Sequence, residues 1–360
     1  MPAGGTSAAN YWEREIRHVL VLGAALRQAK RHVCYARYCV WDPYASRLGA
    51  SLIAPITAKA QQVGRTYRLG VLLPHPRDVP VNVAFLEEFR RHGFIEGQNL
   101  EVEWRAYWLH GDLISQYAAE LAKARVDVIA TGGAEGIRAA QQATKTIPIV
   151  AMTDDWLASG YVKSMARPDG NATGVSILAV DLDGKRQEIL IEAVPGLRRL
   201  AALADVSNAA AKLDALQEAA RAHNVELSIY RIARGEEIAA AIDRAQASGA
   251  TALNIFSTAL LWAHRQLIMD RAAALHLPSI HAFPEEAEEG GFAAYGPRMS
   301  QLFVEVMPQQ IIKLFRGIKV AEIPVEQPTK FELVINLKTA KAMGVTVPPA
   351  LLLRADKVIE

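Results

Sequence analysis

From Tyr67 onward the chain switches repeatedly between two hydrophobic periods. Leu69–Leu73 is a short apolar run, as a buried strand requires. Val81–His92 has Phe85 and Phe89 four residues apart and Gly93 behind it, which predicts a helix and its stop. Leu100, Val102 and Trp104 alternate with Glu101, Glu103 and Arg105, the period of a half-buried strand. Asp112 stands where it can cap a helix whose Leu113, Tyr117 and Leu121 share one face. Val126–Ala130, Ala134–Thr144 and Ile147–Ala151 then read as strand, helix and strand.

The same syntax starts again at Leu200. Strands are predicted over Leu200–Ala204, Val225–Tyr230, Ala252–Phe256 and Ser279–Ala282, with helices over Ala209–His223, Glu237–Ser248 and Leu261–Leu275 between them. Strands that alternate with helices form parallel sheets covered on both faces. Two such series predict an α/β protein with two doubly wound parallel-sheet domains. Ligands of these sheets sit beyond the carboxyl ends of the strands, so two facing domains hold a ligand in the cleft between them.

A chain of 360 residues, 51% hydrophobic and 22% charged, suits two globular domains and excludes a disordered chain. The net charge of +2 hides an asymmetry: residues 1–60 hold eight Lys/Arg against three Asp/Glu, and the rest is weakly acidic. An acidic body does not suit nucleic acid, which needs a concentrated basic face. Both cysteines, Cys34 and Cys39, fall in those first residues, and a cysteine-free body tolerates an oxidising compartment. Arg47, the apolar Leu48–Ile56 and Ala58-Lys59-Ala60 follow the order of a secretory signal, with cleavage expected after Ala60. Residues 1–46 carry Glu13, Glu15 and Asp42 and read as an upstream or non-native extension.

Candidate chemistry gathers at strand ends. Thr131-Gly132-Gly133-Ala134 joins a strand to a helix. Glycines admit a ligand close to the backbone, free helix N–H groups favour an anion such as a carboxylate, and Thr131 adds a hydroxyl. A tight turn without a ligand has the same sequence, and Glu135 in the turn opposes an anion. Thr153-Asp154-Asp155-Trp156 ends the next strand. Either an Asp there pairs with a ligand amine and Trp156 stacks on an aromatic or cationic group, or the segment is a helix cap and a core tryptophan. In the second series the strand ends are Asp205-Val206-Ser207-Asn208 and Ser257-Thr258, whose Ser and Asn side chains either bond a solute or cap helices. A zwitterion would then set its carboxylate on Gly132-Gly133 and its ammonium near Asp154 or Asp155. The loop Pro74–Pro80 supplies a further wall.

Catalytic signatures are absent from the sequence: there is no Gly-x-Ser-x-Gly, no phosphate loop and no dinucleotide fingerprint after the first strand. His264, His276 and His281 lack ligand spacing, so neither a metal nor a cofactor is expected. Glu285, Glu286, Glu288 and Glu289 read as a solvated acidic face.

The run Gln327–Gly344 (QPTKFELVINLKTAKAMG), with Val347-Pro348-Pro349 and Arg354-Ala355-Asp356 behind it, resembles the TrpX-type ABC transporter substrate-binding family. Leu69-Gly70-Val71-Leu72-Leu73, the turn Gly93–Asn99, Thr146–Val150, Ala166–Gly174 and Tyr295-Gly296-Pro297 match it too. The resemblance implies a type I periplasmic binding protein fold with a three-crossing hinge. The crossings are expected near Gly174–Asp183, Phe283–Tyr295 and Ala321–Gln327. The first domain would comprise 66–176 and 296–320, the second 177–284 and 325–360. Tyr295 would lie on the cleft wall. At Asp154-Asp155-Trp156 the relatives usually read Asp-Pro, a departure that bears on specificity.

The resemblance implies a monomeric, periplasmic, non-enzymatic binding protein. It would take up an amino-acid-like solute, with an aromatic side chain among the options, and deliver it to an ABC permease and its ATPase. The alternatives are a ligand-sensing domain, against which the lack of a signalling segment after Glu360 is set, and an enzyme with an unrecognised cleft site.

Overall fold

The computed structural model describes residues 64–107, 110–154, 156–206 and 210–360. The signal-like stretch, both cysteines, Asp155 and Asn208 lie outside them.

Five strands form the first sheet: β1 (Tyr67–Leu73), β2 (Leu100–Ala106), β3 (Val128–Gly132), β4 (Ile149–Thr153) and β5 (Ala172–Ser176). Their order is β2-β1-β3-β4-β5, and every neighbouring pair is parallel. Helices α1 (Pro80–Arg91), α2 (Ile114–Lys123) and α3 (Gly133–Ala143) connect them. The sequence pattern missed β5, whose Gly174 interrupts an otherwise ordinary strand. The strand approaches β4 so closely there that a β-carbon on Gly174 would overlap the Ala151 carbonyl oxygen.

The second sheet has seven strands in the order β12-β11-β10-β9-β8-β6-β7. They are β6 (Arg199–Asp205), β7 (Glu226–Ile232), β8 (Ala252–Ile255), β9 (Ser279–His281), β10 (Ala293–Gly296), β11 (Glu332–Asn336) and β12 (Lys357–Ile359). All neighbours run parallel except β10 and β11, which are antiparallel. Helices α4 (Asp183–Ala193), α5 (Ala210–Ala222) and α6 (Glu237–Ala247) precede β6, β7 and β8. The single helix expected over Leu261–Leu275 is two, α7 (Ala259–Ala263) and α8 (Arg265–Ala274), broken at His264, whose ring packs where Gly235 leaves room.

The chain crosses between the sheets three times. The first crossing leaves β5 at Ser176 and reaches α4 at Asp183. The second lies at Gly296–Arg298, later than the sequence placed it, because α9 (Pro284–Glu288) and β10 pack with the second sheet. The third returns through Val325–Gln327, where Val175 and Glu326 pair as a parallel bridge.

Between the second and third crossings, Met299–Gln301, Leu302–Val306 and Met307–Phe315 run on as one helix, α10, and its middle segment is π-helical. Pro308 cannot donate to the carbonyl four residues back and would clash with it, so the wider turn just before it gives that carbonyl room. The helix lays Phe303 and Phe315 on the first lobe's core, with Phe303 stacked on Phe85 at 4.8 Å. Gln310 of the same helix is buried and donates to the Gly174 carbonyl at 3.0 Å, tying the return helix to β5 just before the first crossing.

Candidate functional site

The turn after β3 in the first lobe lies against the segment that follows β8 in the second. Gly132 closes β3 in extended geometry, and Gly133 opens α3 with a φ of +72°, a left-handed conformation that favours glycine. A β-carbon on Gly133 would stand 3.9 Å from that of Ala259, at the start of α7 in the second lobe. The two lobes therefore meet at this turn. The first-turn N–H groups of α3 have no partners within the helix, and they begin in this half-buried turn, where an anion would be favoured. The Glu135 carboxylate leans away toward Gly111, its Oε2 3.8 Å from where a β-carbon would stand. Burial, and then the charge of Glu135, push the Tyr107 hydroxyl up to about 12. Tyr161 donates to the Ala134 carbonyl at 3.2 Å and steadies the same turn.

Ser257 follows β8 and is buried. Thr258 caps α7 by accepting from the Leu261 N–H at 3.2 Å, the capping role that the sequence allowed. On the β1–α1 loop, burial, and then Arg265 on the second lobe's α8, hold His75 below the usual imidazole range.

Other candidates turn inward. The Thr131 hydroxyl is fully buried and donates to the Leu72 carbonyl at 2.9 Å, packed against Gly136. It locks β3 to β1 and the first turn of α3 and has no donor left for a solute. Trp156 is a core residue: its ring is buried, its Nε1 donates to the Val175 carbonyl at 3.1 Å, and Tyr161 meets it edge-on. The Asp154 carboxylate caps the first crossing, accepting from the N–H groups of Ala179 at 2.8 Å and Val180 at 3.2 Å. Burial pushes this carboxyl up to about 6, against the downward pull of those bonds and of Arg186. The Tyr295 ring lies 6.5 Å from that of Phe331 and packs on the second lobe's core, while its carbonyl accepts from Arg186.

The acidic run is not a solvated face. Glu286 is buried and accepts from the Phe283 N–H at 3.0 Å, with His281 Nδ1 at 3.2 Å. Glu285 caps α10 through the Ser300 N–H and hydroxyl. Glu288 bonds Arg298 and Lys357, and Glu289 holds Arg265.

Sequence reasoning passed over Arg186 and Gln310, two buried polar groups at the hinge. Each leaves a trace: Asp183 stands three residues before Arg186 at a helix start, and Gln310 interrupts the apolar face formed by Met307 and Ile311.

A family model described as "ABC transporter substrate binding protein" matches residues 71–359. A tyrosine-binding protein of Clostridioides difficile is 24% identical over 277 residues, 76% of this chain and 79% of that one. An ABC domain of Streptococcus pneumonia in complex with L-Trp is 20% identical, superposes with a TM-score of 0.71 and aligns over 82% of this chain and 100% of its own. A conserved domain protein of Vibrio cholerae gives 22% and 0.72, over 82% of this chain and 99% of its own. A ligand-free, open substrate binding protein of Clostridium difficile gives 20% and 0.57 over the same shares. With the matching family model, two α/β lobes and three crossings, the chain belongs to the ABC transporter substrate-binding protein family.

Proposed function

We propose that this protein captures an amino-acid-like solute, aromatic in its side chain, between its lobes outside the cytoplasm and hands it to an ABC permease. It works as a monomer, by binding alone, with no chemical change to the solute and no cofactor. The observation that carries the reading is the Gly132–Gly133 turn at the start of α3, which meets Ala259 of the opposite lobe. A solute carboxylate seated on that turn touches both lobes and favours their closure. Ser257 supplies a hydroxyl from the second lobe, and Asp155 and Asn208 complete the set. The tyrosine and tryptophan bound by the relatives support the aromatic class. Among the described residues no helix is long and apolar enough to cross a membrane. Arg47–Ala60 would be the export signal, removed after Ala60, with residues 1–46 an upstream or non-native extension.

Isothermal titration of the mature chain with L-tryptophan, L-tyrosine and L-phenylalanine tests this. Binding at or below about 10 μM is the expected result, equivalent to roughly 7 kcal/mol. Gly133→Ala and Ser257→Ala should each weaken it without unfolding the protein. If none of the three amino acids binds at millimolar concentration, the solute class is wrong.

A further inference from the structure

Ala179, in the middle of the first crossing, is fully buried and held from both sides. Its N–H donates at 2.8 Å to Asp154, which stands just after β4 in the first lobe. Its carbonyl accepts at 2.6 Å from Nη2 of Arg186, which rises from α4 in the second lobe. The guanidinium is fully buried, and its Nη1 also donates at 3.2 Å to the carbonyl of Tyr295, one residue before the second crossing begins. Asp183 pairs with Nη2 and supplies the charge that a buried guanidinium requires. One carboxylate and one guanidinium, from opposite lobes, thus grip the two peptide units that flank a single hinge residue, and the guanidinium ties that crossing to the next.

We infer that Asp154 and Arg186 are positioning residues for solute capture, which hold Ala179 so that the closed arrangement of the lobes is favoured before any solute arrives. The inference rests on reading the chain as a protein whose lobes close on a solute. Apparent affinity is the affinity of the closed form scaled by the fraction of molecules able to adopt it. A grip on the hinge raises that fraction without touching the solute. Charged hydrogen bonds to backbone groups in a dry setting are strong and directional, so they restrict the torsions about Ala179 that a hinge motion must use.

The test uses Asp154→Asn, which keeps shape and one acceptor oxygen, and Arg186→Lys, which keeps charge but loses the fork. Each is checked for folding by circular dichroism and for L-tryptophan and L-tyrosine binding by calorimetry. Small-angle scattering is recorded without solute. The expected result is a folded protein with about tenfold weaker binding, equal to about 1.4 kcal/mol. The unliganded radius of gyration should be larger than the parent's. Because both groups act on one residue, Ala179, the double variant should bind no more weakly than about the worse single variant. Folded variants with the parent's affinity and the parent's unliganded scattering would overturn the inference. Should Arg186→Lys fail to fold, Asp154→Asn decides alone. Failure of the parent to bind either amino acid would count against the solute class only, because the unliganded scattering still decides the hinge.

Discussion

Arg265 lies over the indole ring of Trp262, its guanidinium carbon 4.4 Å from the ring centroid. Its Nε and Nη2 donate to Glu289 at 2.7 and 3.2 Å, so the side chain is fixed on two sides. Fixed in this way, it presents a permanent positive charge toward His75 of the first lobe.

That relationship sets a pH dependence. Burial, and then Arg265, lower the pKa of His75. Below about 6.5, the ordinary imidazole value, the unfolded chain therefore takes up a proton that the folded protein resists. The His75 contribution to stability is present at higher pH and is lost as pH falls through that range. The parent should lose more melting temperature than His75→Gln between about pH 7.5 and about pH 5.5. Equal losses in the two proteins would show that His75 is not held neutral.

Neither amide atom of Asn254 has a hydrogen-bond partner among the described residues, although the side chain is fully buried in the middle of β8. An unpaired buried amide is costly, and a hydrophobe of similar shape removes the cost. Asn254→Leu should stabilise the protein by about 1–3 kcal/mol in urea denaturation. A destabilised variant would mean that the amide has a partner in solution.

Glu286 should behave as a core group. Glu286→Ala leaves the Phe283 N–H and the buried His281 ring without their acceptor, which costs about 2–4 kcal/mol. Denaturant unfolding should show this loss. Glu135→Ala, at an exposed helix start, should stay within about 1 kcal/mol of the parent.

Glu135 also offers a test of what the α3 turn holds. If a solute carboxylate sits there, Glu135→Gln relieves a repulsion, and binding of the amino acid should tighten by about twofold to fivefold. The corresponding amino-acid amide, which lacks the anion, should be unaffected. Calorimetry with L-tryptophan and its amide makes the comparison, and equal effects on both would move the carboxylate elsewhere.

The strand and helix alternation was legible because each element carries its own period. β1 to β4 and β6 to β9 appear within two residues of where apolar runs and helix stops predict them. The site was less legible because its side chains are committed by partners far away in the chain. Thr131 looks like a free hydroxyl beside two glycines, yet its acceptor is Leu72, 59 residues earlier. Four glutamates in five positions look solvated until His281, Arg265, Ser300 and Lys357 arrive from four different elements. Asp154 reads as an amine ligand, but the N–H groups it accepts belong to a crossing 25 residues on. Local composition records which groups are available and not which ones the fold uses up.

The π-helical turn over Leu302–Val306 sets the phase of the return helix. Each residue turns a helix by about 100°, so a π turn acts as one inserted position between two aligned faces. Phe303 within the widened turn and Phe315 beyond it reach the same core, and Gln310 points at the Gly174 carbonyl. Removing a single residue from this turn would rotate everything after it by about a quarter turn. The aromatic anchor at Phe85 would survive, but the amide of Gln310 would face away from the crossing strands. The length of this helix is therefore under a constraint that none of its individual side chains carries: a one-residue deletion would turn Phe315 off the first lobe's core and Gln310 off the Gly174 carbonyl together.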